Sequence, residues 1–185
     1  MKYCSRCGHE VEFKLPRGDH LSRYVCPACG TIHYQNPRLV VGCIPQWQDR
    51  ILLCKRAIEP RLGYWTLPAG FMENGETTRQ AAARETLEEA HAKVEIDAML
   101  SLISVPYIHQ VHAFYLARLL TPEFAVSAES SEVRLYSEGE IPWDDIAFPT
   151  VGYTLRRYFA DRKAGVYTLH MHDILTRPPA PRLPD

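Results

Sequence analysis

The sequence has no long apolar segment, no internal repeat and almost no net charge. No apolar run approaches the roughly 20 residues that a membrane-spanning helix needs, and the first ten residues, MKYCSRCGHE, lack the apolar core of a signal peptide. The formal charge of −1 gives no overall attraction to nucleic acid or to an anionic membrane. We therefore predict a cytoplasmic protein without a membrane partner, in which local cations must hold any polyanionic ligand.

The composition is that of an ordinary globular protein. Of the 185 residues, 46% are hydrophobic and 23% are charged. A chain of this length buries a full hydrophobic core in one domain and leaves room for one small accessory module.

Four of the six cysteines form two CxxC pairs at the start of the chain. Cys4 and Cys7 make the first pair, Cys26 and Cys29 make the second, and a glycine follows each pair. Paired CxxC turns at this separation predict a zinc ribbon over residues 1–36. Four thiolates leave no open coordination position, so the zinc would be structural. Iron in the same site, two disulfides or unrelated thiols remain as alternatives.

Residues 70–92 read as a glycine-rich turn that leads into a helix with three clustered glutamates. At 100° per residue, Glu85 and Glu89 lie within about 40° of each other, and Glu88 lies about 60° to the other side of Glu85. Each like-charged pair costs a helix about 0.2–0.5 kcal/mol. A hard divalent cation would offset that repulsion. The alternative is a solvated charged face with an ordinary Arg84–Glu88 pair.

The spacing of the whole stretch resembles a known motif. A glycine, five residues, Glu, seven residues and R-E-x-x-E-E make up the Nudix box, and six positions match it: Gly70, Glu76, Arg84, Glu85, Glu88 and Glu89. The chain therefore resembles a Nudix hydrolase. It departs from the motif at Thr86, where an aliphatic residue is usual, and at His91 and Ala92, where the box closes with glycine and an aliphatic residue.

The order of elements supports the fold that this resemblance implies. Apolar segments with partial alternation mix with helical patterns along the chain, which predicts an α/β fold. The resemblance implies a Nudix α/β/α sandwich with a mixed sheet, preceded by the small zinc ribbon. We predict the ribbon over residues 1–36, the Nudix domain over 37–165, and a C-terminal strand with a proline-rich tail over 166–185.

The resemblance also implies roles for the residues of the box. Glu85 and Glu89 match the principal ligands of Mg²⁺ or Mn²⁺, with help from Glu88 and the backbone carbonyl of Ala69. The supporting residues are Gly70, Glu76 and Arg84, the last two as an ion pair that orients the loop. Many relatives place one more glutamate on a late loop as a ligand or general base. Glu132 is our candidate for this role and Glu129 the second choice.

The reaction implied is hydrolysis of a phosphoanhydride bond in a nucleoside diphosphate derivative. The segments around the box resemble FAD and ADP-ribose pyrophosphatases, which favours those substrates. NADH and NAD are disfavoured because SLISVPYIHQ stands where NADH pyrophosphatases carry SQPWPFP. Candidate substrate contacts are Arg56, Tyr64, Tyr107 and Phe114, with ordinary core packing as the alternative for each aromatic residue.

Two further hypotheses stay open from the sequence. The chain could be a nucleotide-sensing or nucleic-acid-binding module without turnover, but its glutamates are intact and its surface charge is not basic. It could also act on a nucleotide-capped RNA end with help from the ribbon. We expect a small-molecule nucleotide as the main partner, no nucleic acid, and a homodimer by analogy with relatives.

Overall fold

The computed structural model describes residues 1–177, and the chain divides into two compact units. The first unit is Met1–Asn36 and the second begins at Pro37. The proline-rich tail predicted at the C-terminus lies, from residue 178 onward, outside the described residues. No helix within residues 1–177 is long and apolar enough to cross a membrane.

The first unit is a small antiparallel sheet with two cysteine turns. Its strands are β1 (Glu12–Lys14), β2 (Arg23–Val25) and β3 (Ile32–His33), in the order β1-β2-β3.

The two cysteine turns have the same backbone geometry. Gly8 and Gly30 follow the CxxC pairs with φ angles of 77° and 72°. Their N–H groups donate to the carbonyls of Cys4 and Cys26, both at 2.9 Å. Glycine adopts this left-handed conformation without the steric cost of a Cβ atom, so each turn closes and brings its two thiols together.

A mixed eight-stranded sheet forms the centre of the second unit. Its strands are β4 (Arg38–Trp47), β5 (Arg50–Arg56), β6 (Trp65–Thr66), β7 (Ala69–Phe71), β8 (Val94–Val105), β9 (Gln110–Leu119), β10 (Ser130–Tyr136) and β11 (His170–Asp173). The order is β10-β5-β4-β9-β8-β11, with β6 paired to β5 and β7 paired to β4. The β4–β9 and β11–β8 pairs are parallel and the others antiparallel.

Two helices cover the faces of this sheet. Helix α1 (Thr78–Ala90) packs its alanines against Val41 and Cys43 of β4. Helix α2 (Pro149–Ala164) belongs to the core that contains Ile44 of the same strand. Successive side chains of a strand point to opposite faces, so the helices lie on opposite sides of the sheet. The predicted α/β/α sandwich with a mixed sheet is confirmed.

The ends of α1 explain one departure from the box. The Thr77 side chain and Gln80 form a capping box at the start. At the other end, His91 has φ 50° and ψ 25°, in the left-handed region, and its N–H donates to the Leu87 carbonyl. The helix thus ends as it would with a glycine, although a Cβ atom in this conformation is strained.

We expect His91→Gly to stabilise the protein. Glycine relieves the left-handed strain at the end of α1 and should raise the free energy of unfolding by about 1 kcal/mol. Urea denaturation followed by circular dichroism measures this difference. His91→Ala is the control, because it keeps the Cβ atom and should give no gain; equal stability of the glycine and alanine variants would contradict the prediction.

Candidate functional site

Two of the box glutamates are buried against strand β7. Glu85 and Glu89 are 9% and 6% exposed, whereas Glu88 lies on the exposed side of α1. The backbone N–H of Ala69 donates to Glu89 Oε2 at 3.3 Å. A Cβ atom on Gly70 would lie 2.3 Å from the carboxyl carbon and both oxygens of Glu85. The first residue of the box is therefore a glycine because the Glu85 carboxylate occupies the space that any larger side chain would fill.

A second glycine, outside the Nudix box, brings β7 close to β4. Gly42 pairs with Ala69 in the antiparallel register of the two strands. A Cβ atom on Gly42 would lie 2.4 Å from the Ala69 Cβ atom and 2.4 Å from the Pro68 carbonyl oxygen. A lone glycine inside an apolar strand is the sequence signal for such a close approach.

Arg84 ties the glycine-rich loop to the helix. Its Nε donates to Glu76 Oε2 at 3.0 Å and its Nη2 to Glu76 Oε1 at 2.9 Å. Its Nη1 also donates to Glu85 and Glu88, at 2.8 Å and 2.9 Å. The bidentate pair lowers the pKa of Glu76 to about 2. The Arg84–Glu76 ion pair therefore stays charged at any physiological pH.

The buried carboxylates lie in an unfavourable electrostatic environment. Burial raises the pKa of Glu89 to about 8, and the Glu85 charge adds to this effect. Burial also raises the pKa of Glu85, although Arg84 opposes the shift. Within residues 1–177, the Ala69 N–H and the charge of Arg56 are the main groups that oppose the shift of Glu89. Two buried carboxylates with incomplete compensation fit a hard divalent cation such as Mg²⁺ or Mn²⁺.

These glutamates do not form a closed cage. Among residues 1–177, only the four cysteines form a group of three or more ligand side chains whose ligand atoms all lie within 4.8 Å of one another. The Glu88 side chain is 58% exposed and is held by Arg84. A cation at Glu85 and Glu89 would therefore keep coordination positions for water and phosphate oxygens, as Mg²⁺ prefers.

The two late glutamates occupy different environments. Glu132 lies in β10, where its carboxylate is 3.7 Å from the Lys55 ammonium group and 46% exposed. Glu129 precedes β10 and is exposed, and its charge is among those that raise the pKa of Glu85 and of Glu89. Glu129, our second choice from the sequence, is thus the late glutamate with the clearer electrostatic link to the buried pair.

Arg56 and Tyr64 are neighbours at the edge of this site. The Arg56 Nε donates to the Pro60 carbonyl at 2.8 Å, and its guanidinium lies over the Phe148 ring at 5.1 Å. The Arg56 N–H donates to the Tyr64 carbonyl, and the Tyr64 ring lies below Arg61. Burial raises the pKa of Glu89, and the positive charge of Arg56 is one of the groups that oppose this shift.

The other two predicted substrate contacts are Phe114 and Tyr107, and Phe114 is not accessible to a ligand. Phe114 is 1% exposed and packs in the core that includes α2. Its ring therefore has no free face for a ligand, and the prediction that it contacts the substrate is corrected to core packing. Tyr107 lies in the short 3-10 turn Pro106–Ile108 between β8 and β9. None of the described hydrogen bonds or aromatic contacts joins Tyr107 to the glutamates.

The polar residue inside the box is accommodated locally. Thr86 is fully buried, and its hydroxyl donates to the Ala82 carbonyl at 2.8 Å. The Cys43 thiol lies 3.1 Å from the Thr86 hydroxyl oxygen. A threonine therefore replaces the usual aliphatic residue without leaving a buried hydroxyl unpaired.

The four N-terminal cysteines form a separate metal centre. Cys4 and Cys29 have their Sγ atoms 3.7 Å apart, and those of Cys7 and Cys26 are 3.4 Å apart. A tetrahedral zinc ion with zinc–sulfur bonds of 2.3 Å requires sulfur atoms about 3.8 Å apart. All four sulfur atoms lie within 4.8 Å of one another, so the cluster fits a zinc ion with little rearrangement.

Comparisons with known proteins agree with both parts of this arrangement. The family model described as Nudix N-terminal matches residues 2–35, and the model described as NUDIX domain matches residues 36–156. The chain is 30% identical over 166 residues to the NAD-capped RNA hydrolase NudC of Escherichia coli O1:K1, covering 88% of this chain and 60% of that protein. The chain thus spans about 60% of the length of the curated relatives that it matches.

Solved structures extend the comparison. A NUDIX hydrolase from Nitrosomonas europaea is 55% identical, with a TM-score of 0.93 over 95% of this chain and 100% of that one. A MutT NUDIX hydrolase from Burkholderia pseudomallei is 25% identical, with a TM-score of 0.59 over 66% and 98%. With the two family models and the shared fold, these matches show that the chain belongs to the Nudix family and that its first unit is the zinc ribbon of that family.

Proposed function

We propose that the protein hydrolyses the pyrophosphate bond of a nucleoside diphosphate derivative and releases a nucleoside monophosphate. The observation that carries this proposal is the buried pair Glu85 and Glu89, held against Ala69 and Gly70. A divalent cation bound there would neutralise phosphate oxygens and lower the pKa of a bound water. The side chains around the pair would then position the substrate and supply further charge.

Each polar residue around the pair has a part in this proposal. Glu85 and Glu89 hold the cation, and Arg84 with Glu76 keeps the loop in place. Arg56 offers a cation on the side of Glu89 and suits a phosphate oxygen of the substrate. Glu129 is the proposed general base in preference to Glu132, because its charge acts on both buried carboxylates.

For the substrate we favour ADP-ribose or FAD. The segments around the site, YQNPRLVVGC, LLCKRAIEP and YWTLPAGF, resemble pyrophosphatases that act on those compounds. The chain also lacks the SQPWPFP segment of NADH pyrophosphatases. A homodimer remains our expectation for the assembly, and light scattering would test it.

A nucleotide-capped RNA is the second candidate substrate. Curated relatives at about 30% identity are NAD-capped RNA hydrolases. The ribbon unit, residues 1–36, has five Lys and Arg against three Asp and Glu. Three of its aromatic residues, Tyr3, Phe13 and Tyr34, are 53%, 66% and 62% exposed. Exposed aromatic rings beside basic residues are the usual surface for stacking single-stranded bases.

A product-resolved substrate panel tests both candidates. FAD, ADP-ribose, NADH, NAD and 5′-NAD-capped RNA are incubated with Mg²⁺ or Mn²⁺, and the products are separated by chromatography. We expect release of AMP, fastest from ADP-ribose or FAD; faster cleavage of the capped RNA would select the second candidate. Absence of phosphoanhydride cleavage in every reaction would contradict the proposed function.

Glu85→Gln is expected to lower the turnover rate by at least about 100-fold, because the amide cannot supply the anionic ligand oxygen. Glu73→Gln is the matched control, since Glu73 is an exposed acid of the loop that precedes α1, and this change should leave the rate unchanged. Full activity in the Glu85 variant would remove the site from consideration.

A further inference from the structure

An imidazole lies against one thiol of the cysteine cluster. His33 Nε2 is 3.3 Å from Cys4 Sγ, although the two residues are 29 positions apart. We propose that His33 is an outer residue of the zinc centre, which donates an N–H hydrogen bond to the Cys4 sulfur and strengthens metal binding. This inference concerns the ribbon alone and is independent of the hydrolytic activity.

The direction of this hydrogen bond follows from the chemistry of the centre. A thiolate that binds a metal has no proton and can only accept. The imidazole nitrogen that faces it must therefore carry the hydrogen, which selects the Nε2–H form of His33. The Nε2–Sγ distance of 3.3 Å is suitable for an N–H···S contact.

The contact also joins the two halves of the metal site. Cys4 belongs to the first CxxC turn, and His33 lies in β3, which follows the second turn. Cys4 is 3% exposed, and its sulfur also faces the Arg6 N–H at 3.4 Å. On the second turn, the Thr31 hydroxyl lies 3.1 Å from Cys29 Sγ. Donors of this kind spread the excess negative charge of four thiolates around one divalent ion.

Outer residues of this type have a measurable effect on the metal. Removing a hydrogen-bond partner of a metal ligand costs about 10- to 100-fold in affinity. We expect a loss of zinc affinity of this size when His33 is replaced, although the four cysteine ligands themselves remain. A surface histidine without contact to a thiol should have no such effect.

Zinc competition tests the proposal in the full-length protein. His33→Phe fills the volume of the ring without a donor, whereas His33→Gln keeps an N–H group at a similar reach. His20→Phe is the control, because the His20 side chain is 87% exposed in the same unit. Against a chromophoric chelator at fixed pH, we expect His33→Phe to bind zinc about 10- to 100-fold more weakly, with His33→Gln and His20→Phe near wild type.

The cobalt-substituted protein separates this role from a purely structural one. Loss of a hydrogen bond makes the thiolate a stronger electron donor, so the sulfur-to-cobalt charge-transfer band should move to longer wavelength in His33→Phe but not in His33→Gln. Unchanged zinc affinity and band position in His33→Phe, or a glutamine variant as weak as the phenylalanine variant, would overturn the proposal.

A measurement on the wild-type protein keeps the test decisive if His33→Phe does not fold. In the zinc-loaded protein labelled with ¹⁵N, the chemical shifts of the His33 ring should show a proton on Nε2. An unprotonated Nε2 would mean that His33 donates nothing to Cys4, and the proposal would then be wrong.

Discussion

Glu89→Gln is expected to abolish turnover and, at the same time, to stabilise the protein in Mg²⁺-free buffer. The Glu89 side chain is 6% exposed, and burial raises its pKa to about 8. At neutral pH the folded protein must keep a proton on this carboxyl or tolerate a buried charge, and either state costs free energy relative to the unfolded chain. A neutral amide removes that cost together with the anionic oxygen that a cation needs.

The pH dependence of this effect has a defined sign. Between the ordinary pKa of 4.5 and the folded value of about 8, the folded state binds the proton and the unfolded state has lost it. The stability of wild type therefore falls as the pH rises through this window. At pH 7 the contribution is at most about 3–4 kcal/mol, because each pKa unit corresponds to about 1.4 kcal/mol.

Urea denaturation at pH 5, 7 and 8, with the ribbon loaded with zinc and no Mg²⁺ added, measures the difference. The advantage of Glu89→Gln over wild type should grow with pH, and added Mg²⁺ should stabilise wild type but not the variant. Glu88→Gln, at an exposed position on the same helix, should show no such growth. A Glu89→Gln protein no more stable than wild type at pH 8 would contradict the electrostatic account.

The parts of this site that the sequence predicted are those encoded by local spacing. The cluster of glutamates and each single CxxC turn depend on residues within a few positions of one another. The long strands were also predictable, because β4, β5, β8 and β9 are apolar over most of their length. In each case one segment contains the whole physical signal.

The parts that the sequence did not predict depend on contacts between distant segments. Gly42 meets Ala69 across a strand pair, and His33 meets Cys4 across the ribbon. The β9 pattern could not show whether Phe114 faces a ligand or the core, because both faces of a central strand are covered by helices. Likewise, spacing alone could not show that Glu132 lies beside Lys55, because this contact depends on the pairing of β10 with β5.

Gly42→Ala is expected to cause a loss of turnover comparable to that of a ligand substitution, although Gly42 is neither a proposed metal ligand nor a proposed substrate contact. The new Cβ atom would lie 2.4 Å from the Ala69 Cβ atom and from the Pro68 carbonyl oxygen. Real Cβ atoms do not approach other atoms this closely, so β7 must move away from β4. Ala69 would then leave its hydrogen bond to Glu89, and Gly70 would leave the Glu85 carboxylate.

A shift of about 1 Å at a reacting centre costs about 100-fold in rate, and overpacking of this kind costs about 1–3 kcal/mol of stability. Steady-state kinetics on the best substrate of the panel and urea denaturation measure the two effects. Gly152→Ala is the matched control: Gly152 lies in α2, and its Cβ atom would meet nothing closer than Ile146 Cγ2 at 3.9 Å. This control should keep full activity, and its free energy of unfolding should rise by up to about 1 kcal/mol. If Gly42→Ala turned over substrate like the control, the separation of β7 from β4 would not set the position of the carboxylates.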